Sequence, residues 1–125
     1  MGQQIKYTKS YEYIIIEDST GVVGISKEAS DKLGDIYLVE LPQVGKTYDA
    51  NQETGIIESV KSASDIFNPV KGEILEVNDN LKQNPELISN DPLGKGWIYK
   101  IKILAAEELK DLMDYDIFLK FIGEE

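Results

Sequence analysis

Glu58-Ser59-Val60-Lys61-Ser62-Ala63-Ser64-Asp65 lies between two short apolar runs, Thr54 to Ile57 and Ile66 to Val70. Strand-forming residues precede the lysine, small polar residues follow it, and a second strand-forming stretch leads into Asn68-Pro69. The pattern predicts a β-hairpin with Lys61 at its tip. A lysine on a rigid turn, flanked by small side chains, is well placed to be gripped and modified by another enzyme. The same residues also describe an ordinary solvated turn lysine, and spacing alone leaves both readings open.

Outside the hairpin, composition narrows the possibilities. The 125 residues suffice for one compact domain with a modest core, and residues 1–125 are read as a single domain. No apolar run approaches membrane-spanning length; clusters such as Tyr13 to Ile16 are strand-sized. Lys6 and Tyr7 already fit a first strand, leaving no room for a secretory leader. A bacterial cytoplasmic protein is expected, although a mature mitochondrial-matrix chain would show the same pattern.

Cysteine, histidine and arginine are all absent. Disulfides, thiolate nucleophiles, the commonest neutral-pH base and the usual soft metal ligands are therefore unavailable, as is the bidentate guanidinium clamp. These absences weigh against an enzyme and against a metal site, with carboxylate-only catalysis still open. The net charge of −10 disfavours nucleic acid and anionic membranes as partners. It suits a protein that visits enzymes with basic patches around their active-site mouths, and equally serves solubility alone.

Strands are predicted at Ile5 to Thr8, Tyr11 to Glu17, Val22 to Ile25, Ile36 to Leu41, Gly72 to Val77 and Trp97 to Leu104. Ser26 is placed to cap a short helix, Lys27 to Lys32, with Ala29 and Leu33 turned inward and Gly34 as its stop. Asn78 to Lys95 reads as a long polar loop pinned by Leu81, Leu87 and Ile88. Ala105 to Met113 and Tyr115 to Ile122 read as helices, with Leu109 and Leu112, then Ile117 and Phe121, at helical spacing. Many short strands followed by a helical tail predict a mainly β fold, a small barrel or sandwich. A monomer is expected, because one core can use Trp97 and the apolar faces.

The segment around Lys61 closely resembles the lipoylation segment of the glycine cleavage system H protein family. Further words follow in family order. They include Lys6-Tyr7-Thr8-Lys9 with Glu12, Val23-Gly24-Ile25, Leu33-Gly34-Asp35-Ile36, and Val39-Glu40-Leu41-Pro42. Pro69-Val70, Gly72-Glu73, Glu76-Val77-Asn78, Asn84-Pro85-Glu86-Leu87-Ile88, Asp91-Pro92 and Gly96-Trp97 continue the series. The match is collinear from about Lys6 to about Leu119. It implies a barrel-sandwich hybrid, the flattened β-barrel of lipoyl domains, with a short internal helix and C-terminal helices.

The resemblance further implies that lipoate is joined to Lys61 in an amide bond, which would change the net charge from −10 to about −11. The chain would then be a non-catalytic carrier. It would take an aminomethyl group from a pyridoxal-phosphate glycine decarboxylase and deliver it to an aminomethyltransferase that uses tetrahydrofolate. A dihydrolipoamide dehydrogenase containing FAD would reoxidise it. A lipoate ligase or a lipoyl/octanoyl transferase would load Lys61, reading Glu58, Val60 and Ala63 around it. By position, Ser10, Glu12 and Asp65 match the family residues that receive the loaded arm, with Glu12 and Asp65 as ammonium partners and Ser10 as a hydroxyl partner. A cleft there would exclude water from a group prone to hydrolysis.

The chain departs from the family at Tyr11-Glu12-Tyr13, where His-Glu-Trp is usual, and at Glu28 and Lys32, where histidine or another polar residue is common. Tyr13 is the expected replacement for an aromatic wall, whereas Tyr11 offers no imidazole. Three alternatives stand beside the leading reading. One is a lipoyl relay supplying 2-oxoacid dehydrogenases, and another an unmodified scaffold or regulatory domain. The third, a biotin carrier, would show Met-Lys-Met where this chain has Val60-Lys61-Ser62.

Overall fold

The computed structural model describes residues 3–123. Along the chain these form β1 (Gln4–Tyr7), β2 (Glu12–Glu17), β3 (Thr20–Ile25), α1 (Lys27–Leu33), β4 (Ile36–Glu40), β5 (Thr47–Tyr48), β6 (Glu53–Ser59) and β7 (Ala63–Phe67). There follow β8 (Gly72–Val77), α2 (Asn80–Gln83), α3 (Leu87–Asn90), β9 (Tyr99–Ile103), a 3-10 helix at Ala106–Asp111 and α4 (Tyr115–Ile122). One antiparallel sheet has the strand order β1-β2-β3-β9-β8-β5, and a second has the order β4-β6-β7. The architecture is mainly β, two sheets about one core rather than a closed barrel.

The sheets meet where period-two alternation puts β-branched residues inward. Ile14, Val23, Ile74 and Ile101 come from the larger sheet, Val39, Ile57 and Ile66 from the smaller, and all are buried. Each contributes about 1.5–3 kcal/mol of transfer free energy. A polar knot sits among them. Tyr99 donates its hydroxyl to Asn68 Oδ1 (3.1 Å), and Asn68 Nδ2 donates to the carbonyls of Tyr48 (3.2 Å) and Val70 (2.6 Å). Burial drives the Tyr99 phenol far above its ordinary pKa, so it stays a neutral donor. The knot fixes the chain as it leaves the hairpin, and its polar atoms find partners, as buried ones must.

Helix α1 forms as its signals predict. Ser26 Oγ accepts from Ala29 N (3.1 Å), and Gly34 ends the helix at φ +76°. The 78–95 segment is pinned by Leu81, Ile88 and half-buried Leu87, but two short helices occupy what the sequence suggests is loop. Three expectations need correction. Tyr11 lies outside β2 with φ +79°, so the strand starts at Glu12. The helix expected over Ala105 to Met113 is a 3-10 helix of Ala106–Asp111. Ala105 supplies no capping side chain, Glu108 Oε1 is drawn to Lys71 N (2.8 Å), and Met113 must be extended to exchange backbone hydrogen bonds with Tyr7. In α4 the buried residue is Phe118, stacked on Tyr7 at 4.8 Å, while Ile117 and Phe121 face solvent.

Candidate functional site

Strands β6 and β7 pair in the predicted hairpin, Glu58 opposite Ala63, and Val60-Lys61-Ser62 lies exposed at the turn. The turn is rigid for local reasons. Ser59 N donates to Ser62 O (2.8 Å), Ser62 N donates to Ser59 Oγ (3.2 Å), and Val60 N donates across to Asp35 O (3.0 Å). Serines hold the backbone at both ends of the turn, and the α1–β4 connection braces its flank. Glu58 is half-buried and accepts from Tyr37 Oη (3.2 Å), which raises the Tyr37 pKa. Val60 and Ala63 are exposed beside Lys61.

Gly34 is where the lysine stem finds its bed. A Cβ added there would lie 3.4 Å from Lys61 Cε, so the missing side chain makes room for the arm's root. The backbone at Gly34 also has φ +76° and ψ −136°, a combination that excludes ordinary L-residues.

Beside the hairpin is a cavity of about 250 Å³, between the start of β2, helix α1 and strand β7. Ser10, Glu12 and Asp65 all line it, so the fold gathers the residues expected to act together. Ile25, Ala29 and Leu33 form its apolar side. Asp65 is exposed. Glu12 is buried, 1% exposed, and its carboxylate is fully engaged. Oε1 accepts from Thr8 Oγ1 (2.5 Å) and Ser10 Oγ (2.5 Å), and Oε2 accepts from Phe67 N (3.0 Å). Burial raises the Glu12 pKa, with the hydrogen bonds from Ser10, Thr8 and Phe67 opposing the rise. Glu12 thus ties the entry of β2 to the edge of β7 while offering negative charge to the cavity.

Tyr11 and Lys32, not among the residues expected at the site, also line the cavity. The aromatic wall is Tyr11, not Tyr13, whose ring is fully buried with its hydroxyl donating to Pro92 O (2.5 Å). The positive φ at Tyr11 explains the exchange. Strand geometry would send residues 10 and 12 one way and residue 11 the other; the left-handed step brings three consecutive side chains to one cavity. Lys32 Nζ donates to Tyr11 Oη (3.1 Å) and lies 5.0 Å from its ring centroid. Lys32 follows Ala29 by three positions and precedes Leu33, so helical spacing carried the signal for it. Glu28 turns away and accepts from Tyr115 Oη (2.5 Å), linking α1 to α4.

Comparison with known proteins agrees with this geometry. The glycine cleavage H-protein family model matches residues 5–125. The glycine cleavage system H protein of Symbiobacterium thermophilum is 45% identical over 93% of each chain. That of Thermotoga maritima is 43% identical over 96% of this chain and 97% of its own. The crystal structure of a glycine cleavage system H protein from Mycobacterium marinum superposes with a TM-score of 0.89 at 33% identity, covering 98% of this chain and 99% of that one. Matched by that family's model over nearly its whole length and by relatives of this identity and coverage, the chain belongs to the glycine cleavage H-protein family.

Proposed function

We propose that Lys61 bears the lipoyl group through which this chain, a carrier of the glycine cleavage system, does its work. The observation that carries the reading is the braced, exposed hairpin tip, with the lysine stem lying over Gly34 beside the cavity of Ser10, Glu12 and Asp65. When bound, lipoate would supply a cyclic disulfide, one sulfur of which takes a one-carbon amine while the other leaves as a thiol, and a dithiol remains once that unit is given up. The chain's own residues do the rest. Ser59, Ser62 and Asp35 hold the root of the arm still, so that only the stem and its attachment move. Asp65 offers a carboxylate on one wall, and Glu12 places a second at the base, held in orientation by Thr8, Ser10 and Phe67. Ile25, Ala29, Leu33 and Tyr11 exclude water from whatever enters.

Taken as one carrier unit over residues 1–125 and as a monomer, the chain leaves chemistry to its partners. A lipoate ligase or a lipoyl/octanoyl transferase attaches the group, with Glu58, Val60 and Ala63 as the contacts around the acceptor. Glycine decarboxylase supplies pyridoxal phosphate, the aminomethyltransferase tetrahydrofolate, and dihydrolipoamide dehydrogenase FAD. Reconstitution tests the scheme. The loaded chain should support exchange of labelled bicarbonate into glycine with the decarboxylase, and Lys61→Ala should support none. Equal exchange by both forms would refute the assignment.

A further inference from the structure

Helix α1 carries two lysine–carboxylate pairs at i,i+4 spacing, and only one of them is closed. Lys27 Nζ meets Asp31 Oδ2 at 3.2 Å. Glu28 and Lys32 have the better order for such a pair, with the acid nearer the helix N-terminus, yet each is engaged elsewhere. Glu28 Oε2 accepts from Tyr115 Oη (2.5 Å). Its other oxygen, Oε1, is shut off from solvent and has no hydrogen-bond partner among the described residues. A buried carboxylate oxygen without a donor is costly, and a nearby cation would relieve it. Lys32 Nζ is instead held at the cavity, on Tyr11 Oη (3.1 Å) and 5.0 Å from that ring's centroid. The two positions adjoin. Tyr11 meets Phe118 edge-on at 5.5 Å, and Phe118 lies 6.4 Å from Tyr115, so a run of aromatic rings joins the cavity wall to Glu28.

Among the described residues Lys32 is also the only cation lining a cavity whose walls carry Glu12 and Asp65. In the unloaded chain it lends positive charge to a site that otherwise gathers carboxylates. An ammonium brought in on the arm would meet it as a like charge in a partly desolvated space. Resting on the carrier reading above, we propose that Lys32 is a displaceable occupant of this cavity. It lies on Tyr11 in the unloaded chain, and it swings one helical turn back to Glu28 Oε1 when a cationic arm enters. Glu28 is then a positioning residue, acting on the arm only through where it holds Lys32. An arm without the amine has no charge and gives Lys32 no cause to leave, so the exchange favours the amine-bearing form over the bare ring. Once the amine has gone, Lys32 returns to Tyr11.

The lifetime of the loaded carrier in buffer, followed by ammonia release after removal of the decarboxylase, tests this. Glu28→Gln keeps an acceptor for Tyr115 but removes the charge that receives Lys32, and it should shorten the lifetime roughly threefold. In a Lys32→Ala background the same change should alter the lifetime by less than about 1.5-fold, because no lysine is left to place. Equal shortening in both backgrounds would reduce Glu28 to a tie between α1 and α4 and overturn the proposal, as would no shortening in either. Tyr115→Phe breaks that tie and leaves the carboxylate, so it should not shorten the lifetime; a loss equal to that of Glu28→Gln would overturn the proposal. A second measurement reads the swing itself. The nuclear Overhauser contact between the Lys32 side chain and the Tyr11 ring should be present in the unloaded chain and vanish on loading, and a contact that persists would overturn the displacement. Failure of the unmutated chain to take up the lipoyl group or the amine is a separate result, and it would overturn the carrier reading together with this one.

Discussion

Glu12 shows how a charged residue in a strand can serve the inside of a protein. Its carboxylate is buried with three donors, and burial raises its pKa above the usual 4.5. The stability it contributes is full below that value and is lost as pH rises through the raised folded value, because the ionised form is less favourable in the fold. Glu12→Gln should therefore gain Tm relative to the parent as pH rises above 4.5, whatever constant offset its altered hydrogen bonds impose. A pH-independent difference in scanning calorimetry would contradict this. Arrival of a cation in the cavity would pull the Glu12 pKa back down, so loading and ionisation reinforce one another. Lys32 acts in the opposite sense, as the one cationic side chain among the described cavity residues, drawn aside onto Tyr11. Lys32→Ala should lengthen the lifetime of the loaded carrier in buffer by roughly threefold, the scale of a partly screened charge pair. A shortened lifetime, followed by ammonia release without partners, would show that Lys32 protects rather than opposes. The place of Lys61 at a hairpin tip was legible in the sequence because a turn between two strand-like runs is a local pattern. The exchange of Tyr13 for Tyr11 as cavity wall was not, since it turns on a left-handed φ at a bulky residue, which no side-chain periodicity encodes.

Elements with chemical punctuation were the readable ones. Ser26 before α1 and Gly34 after it mark the helix without knowledge of tertiary contacts. Ser26→Ala should cost about 1 kcal/mol in urea denaturation, the usual value of a lost cap. Gly34→Ala should cost about 1–3 kcal/mol through its backbone conformation, and its new Cβ would crowd the Lys61 stem. The C-terminal elements were harder to read. Ile117 and Phe121 have helical spacing, but so does the aromatic set Tyr115 and Phe118, and the choice of buried stripe depends on Tyr7 and Tyr11 arriving from the other end of the chain. Phe118→Ala should therefore cost about 3–5 kcal/mol, and Ile117→Ser less than about 0.5 kcal/mol. Equal losses would return Ile117 to the core. The 3-10 helix was likewise hidden, because its tightness comes from long-range ties at Lys71 and Tyr7.

At the scale of the molecule, the two sheets make a stiff body and the hairpin projects one amine from it. Its mainly β class and the strand-like stretches were open to sequence reading. The division into six- and three-stranded sheets was not, since β5 pairs with β8 and β3 with β9 across long intervals of chain. Among the described residues no helix is long and apolar enough to cross a membrane, and no cluster of acids could hold a metal ion. What the body offers is position. It sets a cavity with two carboxylates beside Lys61. The central claim is that Lys61 is acylated, and intact-mass analysis of the chain from lipoate-replete cells tests it most directly. The account predicts a mass gain of one lipoyl group that maps to Lys61 and vanishes in Lys61→Ala. Recovery of only the bare chain, or of the group on another lysine, would contradict it.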